Sequence, residues 1–305
     1  MPILARPYRD VDDLAAMQAL VQQSNAQTGG YGLLHTGDLP HRIFNILRNC
    51  PPSEIIRLWE NKHRELLGWA LAYPRFGGFD VLARPEYRYT PVEAEMFTWA
   101  EQQTRQLRNR EGKITEWLET DVLAADAERC AWLTQRGYTT GEPVSHLTTR
   151  RLAEAIPDSQ LPAGFSIRNV IDETDAEQLI AVHSGAFGSE WTVAAYRQVM
   201  RSPGYAPERE LVVVAPDGRF AAFCILWLDP VNQTGLFEPV GTHPDFQRRG
   251  LGRALLREGL RQMCAAGLIA ALVAHDINNP AAAGLYASVG FTSVHKIHSY
   301  RKTMV

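Results

Sequence analysis

The chain has 305 residues, of which 45% are hydrophobic and 21% charged, and its formal net charge is −3. This composition is ordinary for a globular protein, and the length predicts two domains. The slightly negative net charge argues against nucleic-acid binding through bulk positive charge. The N-terminal sequence has no export signal and no apolar run is long enough to span a bilayer, so we expect a cytoplasmic protein without a membrane partner.

The chain has four cysteines, and they lie far apart: Cys50, Cys130, Cys224 and Cys264. Cys224 and Cys264 fall in apolar patterns, which predicts that both act as small hydrophobic residues. The sequence has no CxxC, no HExxH and no cluster of cysteine and histidine. We therefore expect neither a disulfide nor a bound metal.

The two halves of the sequence begin with the same pattern. In each half an apolar stretch leads to an arginine, an aspartate seven residues later and an apolar residue four residues after that. The matching residues are Arg6, Asp13 and Met17 in the first half, and Arg168, Asp175 and Leu179 in the second. Each copy predicts a short strand followed by an amphipathic helix with an acidic start.

The likeness continues through the rest of each half. Strand-like runs come next, with a Pro-Asp-Gly hairpin turn at 216–218 in the second half. Each half ends with a short helix stopped by glycine and an aromatic residue, at Gly137-Tyr138 and at Gly290-Phe291. We infer a duplicated α+β unit, with domains at 1–150 and 164–305 and a linker at 151–163. A single domain with coincidental likeness is the alternative.

The stretch HPDFQRRGLGRALL, residues 243–256, carries the strongest chemical signal. It follows a strand that Pro239 and Pro244 are expected to interrupt, and it leads into a helix running to about Ala266. Gly250 and Gly252 expose backbone N–H groups at the helix start, where the helix dipole favours an anion. Three arginines, at 248, 249 and 253, add positive charge suited to phosphate oxygens.

The loop does not match either of two common phosphate-binding motifs. A Walker A loop needs lysine after its second glycine, and Arg253 stands there instead. A dinucleotide fingerprint needs a third small residue where the chain has Leu255. Taken alone, the loop is also compatible with a glycine-tolerant helix start carrying solvated arginines.

A second motif follows downstream, and together the two resemble the GNAT superfamily of acyl-CoA-dependent N-acetyltransferases. Its pattern [QR]xxGx[GA] is matched by Gln247, Gly250 and Gly252. Its pattern NxxAxxLYxxxGF is matched by Asn279, Ala282, Leu285, Tyr286, Gly290 and Phe291. The resemblance covers about residues 165–300, and the duplication resembles the tandem architecture of mycothiol synthase. It implies two GNAT-like α+β domains, each a mixed, mostly antiparallel central sheet flanked by helices.

The resemblance implies that the second half binds acetyl-CoA as acyl donor, without a metal. The loop would hold the pyrophosphate, and a strand on one side and a short helix on the other would line the pantetheine arm. A backbone N–H near Val240 would polarise the thioester carbonyl. The binding residues so implied are Val240, Gly241, Thr242, Gln247, Arg248, Arg249, Gly250, Leu251, Gly252, Arg253, Asn279 and Ala282.

Acetyl transfer to an amine requires two proton transfers. Tyr286, from the second motif, is the candidate acid for the departing thiolate; the alternative is a core tyrosine. Glu238 is the candidate base, because it lies two residues before Val240 and strand residues two apart share a face. The alternatives are an exposed strand carboxylate, or one that holds a substrate amine by charge. His275 and His243 are weaker candidate bases, and Asp276 is a candidate for binding a cationic substrate.

The first half lacks the features that carry this chemistry. Arg88 aligns with Gln247, but proline (Pro91) and glutamate (Glu93) stand in place of the two glycines, and Leu133 stands in place of the tyrosine. Proline lacks an N–H, and glutamate adds negative charge where phosphate would lie. We therefore expect the first half to keep the fold and not to bind CoA in the usual way.

The sequence thus predicts an N-acetyltransferase with one active half. It would move an acetyl group from acetyl-CoA to an amine, in our interpretation that of a small molecule, by direct attack in a ternary complex. The alternative is a non-catalytic acyl-CoA-binding sensor or interaction protein. The sequence does not indicate the acceptor, the preferred acyl chain or the oligomeric state.

Overall fold

The computed structural model describes residues 3–47, 49–74, 77–113 and 116–304. The helices are α1 (Val11–Ala26), α2 (Asp38–His41), α3 (Pro52–Ile55), α4 (Pro91–Arg110), α5 (Ala127–Gln135), α6 (Ala176–Phe187), α7 (Val193–Met200), α8 (Leu251–Ala265) and α9 (Pro280–Ala287). The strands are β1 (Leu4–Pro7), β2 (Ile56–Glu60), β3 (Leu66–Tyr73), β4 (Gly78–Ala83), β5 (Trp117–Leu123), β6 (Thr139–Arg151), β7 (Ser166–Asn169), β8 (Glu210–Val214), β9 (Phe220–Asp229), β10 (Thr234–Thr242), β11 (Ala270–Asp276) and β12 (Thr292–Thr303).

The chain divides into two compact units. The first consists of Met1–His35, Leu47–His146 and His295–Val305, and the second of Thr36–Ile46 and Leu147–Val294. These units differ from the two continuous domains of the sequence prediction in two segments. The segment Thr36–Ile46, from the first half, belongs to the second unit, and the end of the chain belongs to the first. Sequence repetition shows which motifs correspond, but it carries no signal for which unit a terminal strand joins.

Each unit is built on a mixed, mostly antiparallel sheet flanked by helices, as predicted. In the first unit the strand order is β1-β2-β3-β4-β5-β12, and β4 and β5 are the parallel pair. In the second unit the order is β7-β8-β9-β10-β11-β6, and β10 and β11 are the parallel pair. Each unit has its own apolar core. Helix α8 packs the apolar face predicted from the sequence against the core of the second unit. That face consists of Leu255, Leu256, Leu260 and Met263.

The repeated arginine and aspartate form the same ion pair in both units. Arg6 donates two hydrogen bonds to Asp13, at 2.7 and 2.8 Å. Arg168 donates two to Asp175, both at 2.8 Å. Each aspartate also accepts a backbone N–H from the residue three positions after its arginine, at 2.8 and 2.9 Å. The shared spacing in the sequence therefore reflects one structural device that fixes the first strand to the first helix.

The predicted turns are also confirmed. Residues 216–218 connect β8 to β9, and Gly218 has a φ of +85°. Gly137 and Gly290 end their helices with φ of +85° and +88°. In both cases the next residue's N–H returns to the helix, over 3.1 Å from Tyr138 to Leu133 O and from Phe291 to Tyr286 O. This left-handed ending needs glycine because a Cβ disfavours positive φ.

One cysteine expectation is wrong. Cys224 is buried as predicted, but Cys264 is exposed, because it lies on the outer face of α8. The four cysteines, all within the described part of the chain, are free. Among the described residues no group of histidine, cysteine, aspartate and glutamate is arranged to hold a metal ion. No helix in those same ranges is both long and apolar enough to cross a membrane.

Candidate active site

The glycine-rich loop turns the chain from β10 into α8. A short 3₁₀ turn, Pro244–Phe246, follows the strand, and then Arg248 and Gly250 adopt positive φ of 59° and 80°. Helix α8 begins at Leu251 without a side-chain cap. Because Gly250 has no side chain, no capping side chain accepts a hydrogen bond from the first N–H groups of the helix. This arrangement suits an anionic ligand.

Positive charge lies around this helix start. Arg248, Arg249 and Arg253 are all exposed. Arg249 donates to the backbone oxygen of Asp245 over 3.1 Å, which holds its stem against the loop. Gln247 donates to Thr242 O over 3.2 Å and ties the loop to the strand end. The fit to phosphate oxygens rests on these exposed guanidinium groups and on the uncapped helix.

Small residues keep the approach to this loop open. A Cβ built on Gly252 would lie 3.3 Å from Leu285 Cδ2 and 3.5 Å from Thr242 Oγ1, so only a very small side chain fits there. Helix α9 faces this point, and its N-cap is Asn279, whose Oδ1 accepts the N–H of Ala282 over 3.0 Å. The spacing of asparagine and alanine in the second motif thus has a local cause, since Asn279 caps α9.

The strand β10 carries a bulge beside the candidate base. Its pairing with β9 shifts between Phe237 and Val240, at the predicted interruption. Phe237 and Val240 both pack against the core that includes α8. Glu238 lies between them and contacts His41 instead. The expectation that Glu238 and Val240 share a face is therefore wrong, because the extra residue in the bulge breaks the alternation.

Residues from the first half of the sequence surround Glu238. His41 Nε2 lies 3.4 Å from Glu238 Oε1. The segment Thr36–Ile46, which carries His41, packs closely against β9, since a Cβ on Gly37 would lie 2.0 Å from the ring of Trp227. Trp227 in turn donates from Nε1 to the backbone oxygen of Glu238 over 2.7 Å. Glycine at position 37 is thus required for the segment Thr36–Ile46 to reach this strand.

The site shifts the proton affinities of both groups. Desolvation raises the pKa of Glu238 to about 8, and the nearby charge of Asp38 raises it further against the opposing effect of Arg42. Desolvation lowers the pKa of His41 to about 3. Near neutral pH, therefore, His41 is uncharged and Glu238 mostly holds its proton, which it loses as the pH rises through about 8.

Tyr286 is buried in the core cluster of the second unit, with 7% of its surface exposed. Desolvation raises the pKa of its hydroxyl, and the charges of Glu238 and Cys224 add to the effect. The hydroxyl therefore stays protonated near neutral pH and can donate. Its ring centroid lies 5.6 Å from that of His275, on β11.

The weaker candidates have local structural partners. His243 packs against α6, where a Cβ on Gly185 would lie 2.1 Å from its ring, and its Nδ1 accepts the N–H of Asp245. His275 Nδ1 lies 3.1 Å from the backbone oxygen of Asp276. The Asp276 carboxylate accepts the N–H of Asn278 over 2.7 Å. His243 thus lies at the turn after β10, and His275 and Asp276 lie at the end of β11.

The sequence is similar to known acetyltransferases. Residues 176–291 match the sequence model of the Acetyltransferase (GNAT) family. A mycothiol acetyltransferase of Pseudarthrobacter chlorophenolicus is 28% identical over 246 residues, which span 75% of this chain and 72% of that protein. One of Frankia casuarinae is 27% identical over 256 residues, 76% of this chain and 72% of that protein. The segment 176–291, in the second unit, thus resembles the GNAT family of acetyltransferases.

The fold of the chain is similar to that of a tandem GNAT protein. The structure superposes on a tandem GNAT protein from the clavulanic acid biosynthesis pathway with a TM-score of 0.64 and 16% identity. The superposition covers 99% of this chain and 98% of the other. At this identity the likeness concerns the fold, and it extends over both units.

The first unit has large side chains at the positions where the second has small ones. Glu93 and Arg129, which correspond to Gly252 and Ala282, form an ion pair over 2.6 Å. Glu93 also accepts the N–H of Tyr89 over 2.6 Å. Tyr89 has a φ of 63°, matching the 59° of Arg248 at the corresponding position. A carboxylate of the protein thus binds the loop N–H that an external anion would otherwise meet.

Sequence reasoning missed the residues that surround the candidate base. His41, Asp38 and Arg42 lie in the first half of the sequence, outside the family motifs. Glycine at 37 was the available local signal, and it does not indicate which strand the segment approaches. Neither periodicity nor a motif indicates that a segment packs against a strand that is distant in the sequence.

Proposed function

We propose that the second unit transfers the acetyl group of acetyl-CoA to the amine of a small molecule, by direct attack while both substrates are bound. The observation that carries the proposal is that the charge of Glu238 acts on the buried Tyr286 hydroxyl, in the unit whose α8 starts uncapped and is flanked by small residues. This combination supplies an anion site, a proton acceptor and a proton donor.

The donor would be held mainly by backbone. The first N–H groups of α8 would bind the pyrophosphate oxygens, with Arg248, Arg249 and Arg253 adding charge. Gly252 and Ala282 would leave room for the pantetheine arm between α8 and α9. The end of β10, from Val240 to Thr242, would line its other side. Acetyl-CoA, when bound, supplies an activated acetyl group and a thiolate leaving group.

Glu238 and Tyr286 would divide the proton transfers. An alkyl ammonium has a pKa of about 10, so it must lose a proton before it can attack. A carboxylate with a pKa of about 8 is a better acceptor for that proton than an ordinary glutamate. Tyr286 would donate to the departing sulfur, because its raised pKa keeps the hydroxyl protonated. His41 would act as a positioning residue that orients the Glu238 carboxyl group.

The acceptor is a small-molecule amine in this proposal. Two relatives that align over about three quarters of this chain are named mycothiol acetyltransferases, which supports a small acceptor. The segment around Glu238 also presents both an acid, Asp38, and a base, Arg42. Paired charges of this kind favour a polar acceptor over an apolar one.

The test is release of CoA thiol from acetyl-CoA across a panel of amines: amino acids, polyamines, aminoglycosides, aminosugars and short peptides. We expect turnover with at least one small-molecule class. Tyr286→Phe should then lower kcat by about a hundredfold with less than about a twofold change in acetyl-CoA affinity, because the hydroxyl acts only on the leaving group.

Two outcomes would contradict the proposal. Acetyl-CoA binding without turnover on any amine would favour a non-catalytic acyl-CoA-binding protein. Equal turnover by Tyr286→Phe would remove the tyrosine from the chemistry and leave it as a core residue. Tyr300→Phe, a buried tyrosine of the first unit, is the matched control and should keep full activity.

A further inference from the structure

The second unit contains a cavity bounded by the end of β6, the segment that follows it, α8 and the end of α9. Its volume is about 240 Å³. This volume is below the range of about 300–1,000 Å³ that is usual for drug-sized ligands, so the cavity suits a smaller molecule. Every residue that lines it belongs to the second unit.

The cavity lies away from the loop that would hold the pyrophosphate. Arg257, which lines it, is about 9 Å along the axis of α8 from Leu251, the first residue of that helix. Ser288, another lining residue, is about 12 Å along α9 from Pro280. The described residues that line the cavity include none of those proposed to bind acetyl-CoA or to transfer protons.

Arg150 places a buried guanidinium group in the wall of this cavity. Only 5% of its surface is exposed. Its Nη2 donates to the backbone oxygen of Ala155 over 2.9 Å and holds the segment after β6. Within the described part of the chain, its Nε and Nη1 have no hydrogen-bond acceptor. Buried donors without acceptors are costly, and more so on a charged group, so a ligand oxygen at this point would be favoured.

Glycine at position 290 makes room for this guanidinium group. A Cβ on Gly290 would lie 2.8 Å from Nε of Arg150, closer than a side-chain atom can approach without a shift. The glycine that ends α9 therefore also allows Arg150 to lie against the turn. Its Nε is held beside the cavity by this packing as well as by the hydrogen bond of Nη2.

Arg257 adds a second guanidinium group to the wall. Its Nη1 donates to the backbone oxygen of Asp158 over 2.9 Å. Its Nε is buried and, among the residues that the structure describes, has no acceptor. Arg150 and Arg257 together thus bring three buried nitrogen atoms without acceptors to one small cavity.

The charges in the wall favour an anion. The acceptors of both guanidinium groups are backbone oxygens, which carry no net charge. Glu154 also lines the cavity, but it is exposed, so water and salt screen its charge. Desolvation lowers the pKa of Arg150, and the charge of Arg257 lowers it further against the opposing effect of Glu154. Arginine nevertheless stays protonated in proteins, and a bound anion would stabilise its buried charge.

The rest of the wall indicates which kind of anion fits. Ile156, Leu260 and Val289 present apolar side chains, and the last two are buried. Such side chains favour a ligand with an apolar body. A carboxylate has two oxygens and a single charge, which the three free nitrogen atoms can satisfy. A phosphate dianion would bring a second charge and a third terminal oxygen against apolar groups, which is costly.

We propose that this cavity binds a small organic carboxylate with a short apolar body. Its carboxylate oxygens would accept hydrogen bonds from Arg150 and Arg257, and its body would lie against Leu260 and Val289. The site is separate from the proposed acetyl-transfer site, so its occupancy does not require acetyl-CoA.

The test uses the full chain with butyrate, butylamine and inorganic phosphate as probes, and binding is followed by ligand-observed NMR. We expect saturable binding of butyrate, weaker binding of phosphate and none of butylamine at equal concentration. Arg150→Gln should weaken butyrate binding about tenfold or more, because it removes a charged donor. Arg257→Gln should weaken it as well and provides a second variant should the first fail to fold.

Arg151→Gln is the matched control. Arg151 is the next residue on β6, is exposed and does not line the cavity, so its side chain points to the other face of the strand. The variant changes the net charge of the protein as much as Arg150→Gln does, and it should bind butyrate as the wild type does. An equal loss in Arg151→Gln would assign the effect to overall charge and overturn the proposal.

Competition with CoA separates this site from the proposed donor site. A saturating concentration of CoA should leave butyrate binding unchanged, because the two ligands would occupy different ends of α8. Displacement of butyrate by CoA would place both arginines in the donor site and overturn the proposal. Tighter binding of phosphate than of butyrate, equal binding of butylamine, or no butyrate binding in the folded protein would overturn it as well. Failure of acetyl transfer would leave these readouts unaffected.

Discussion

Glu238 owes its unusual proton affinity to its neighbours in the fold. Desolvation raises its pKa to about 8, whereas an exposed glutamate titrates near 4.5. A base must be ionised to act, so kcat/KM should rise about tenfold per pH unit up to about pH 8 and then level off. Glu238→Gln should lower the rate by about a hundredfold and abolish this limb of the profile.

The measurement is a pH–rate profile with a single amine acceptor for all variants, so that titration of the acceptor is common to them. Glu177→Gln, an exposed glutamate on α6, is the control and should retain the limb. If the Glu238→Gln variant kept the same acidic limb, Glu238 would not be the base.

Glu210 is a second glutamate with a raised pKa, and its role is structural. It is fully buried and accepts hydrogen bonds from the hydroxyls of Tyr196 and Tyr205. Desolvation raises its pKa from 4.5 to about 7, against the opposing effect of the two hydroxyls. A raised carboxyl pKa stabilises the fold below pH 4.5, and this stabilisation is lost as the pH rises to about 7.

Glu210→Gln should therefore flatten the pH dependence of stability. Between about pH 4 and pH 8, the free energy of unfolding of the wild-type second unit should fall by on the order of 3 kcal/mol relative to that of the variant. Urea unfolding followed by hydrogen exchange in peptides of the second unit measures this difference. Glu208→Gln, an exposed residue of the preceding 3₁₀ turn, should behave as wild type. Parallel curves for wild type and Glu210→Gln would show that the carboxyl does not titrate in this range.

At the scale of elements, the starts of α4 and α8 correspond to each other, but different side chains lie next to them. Neither helix start has a side-chain cap, but α8 begins next to Gly252, whereas α4 begins next to Glu93, which binds the loop backbone and Arg129. Gly252→Glu would copy the second arrangement into the first. We expect it to reduce acetyl-CoA affinity by at least about a hundredfold, because it places a negative charge where phosphate would bind.

Isothermal titration with acetyl-CoA measures this change. Gly252→Ala is the matched control: its Cβ would lie 3.3 Å from Leu285, so it should cost some affinity but far less than glutamate. Similar losses in both variants would assign the effect to crowding rather than to charge, and unchanged affinity in Gly252→Glu would remove the loop from the binding site.

Elements and their ends followed from the sequence because local chemistry determines them. The left-handed endings at Gly137 and Gly290 and the turn at 216–218 all depend on residues adjacent in the chain. The face of Glu238 did not follow, because a single extra residue at the bulge reverses the alternation. Periodicity predicts a strand; it does not predict where the register shifts.

At the scale of the whole molecule, the duplication was predictable and the exchange of segments was not. Arg6 and Arg168 repeat at a fixed spacing from their aspartates, and the same ion pair recurs in the structure. In contrast, Thr36–Ile46 and His295–Val305 join the unit opposite to the half in which they lie. Their apolar residues fit either core by composition, and only packing distinguishes the two.

Because the end of the chain belongs to the first unit, two aromatic residues that are close in sequence should stabilise different units. Phe291 packs in the core of the second unit, and Tyr300, on β12, packs in the core of the first. Tyr300→Ala should cost about 3–5 kcal/mol and reduce hydrogen-exchange protection in β5, with α8 unaffected. Phe291→Ala should do the reverse. Peptide-resolved exchange by mass spectrometry distinguishes these results. Equal loss in both regions for either variant would mean that the two cores unfold as one, and that the end of the chain stabilises both.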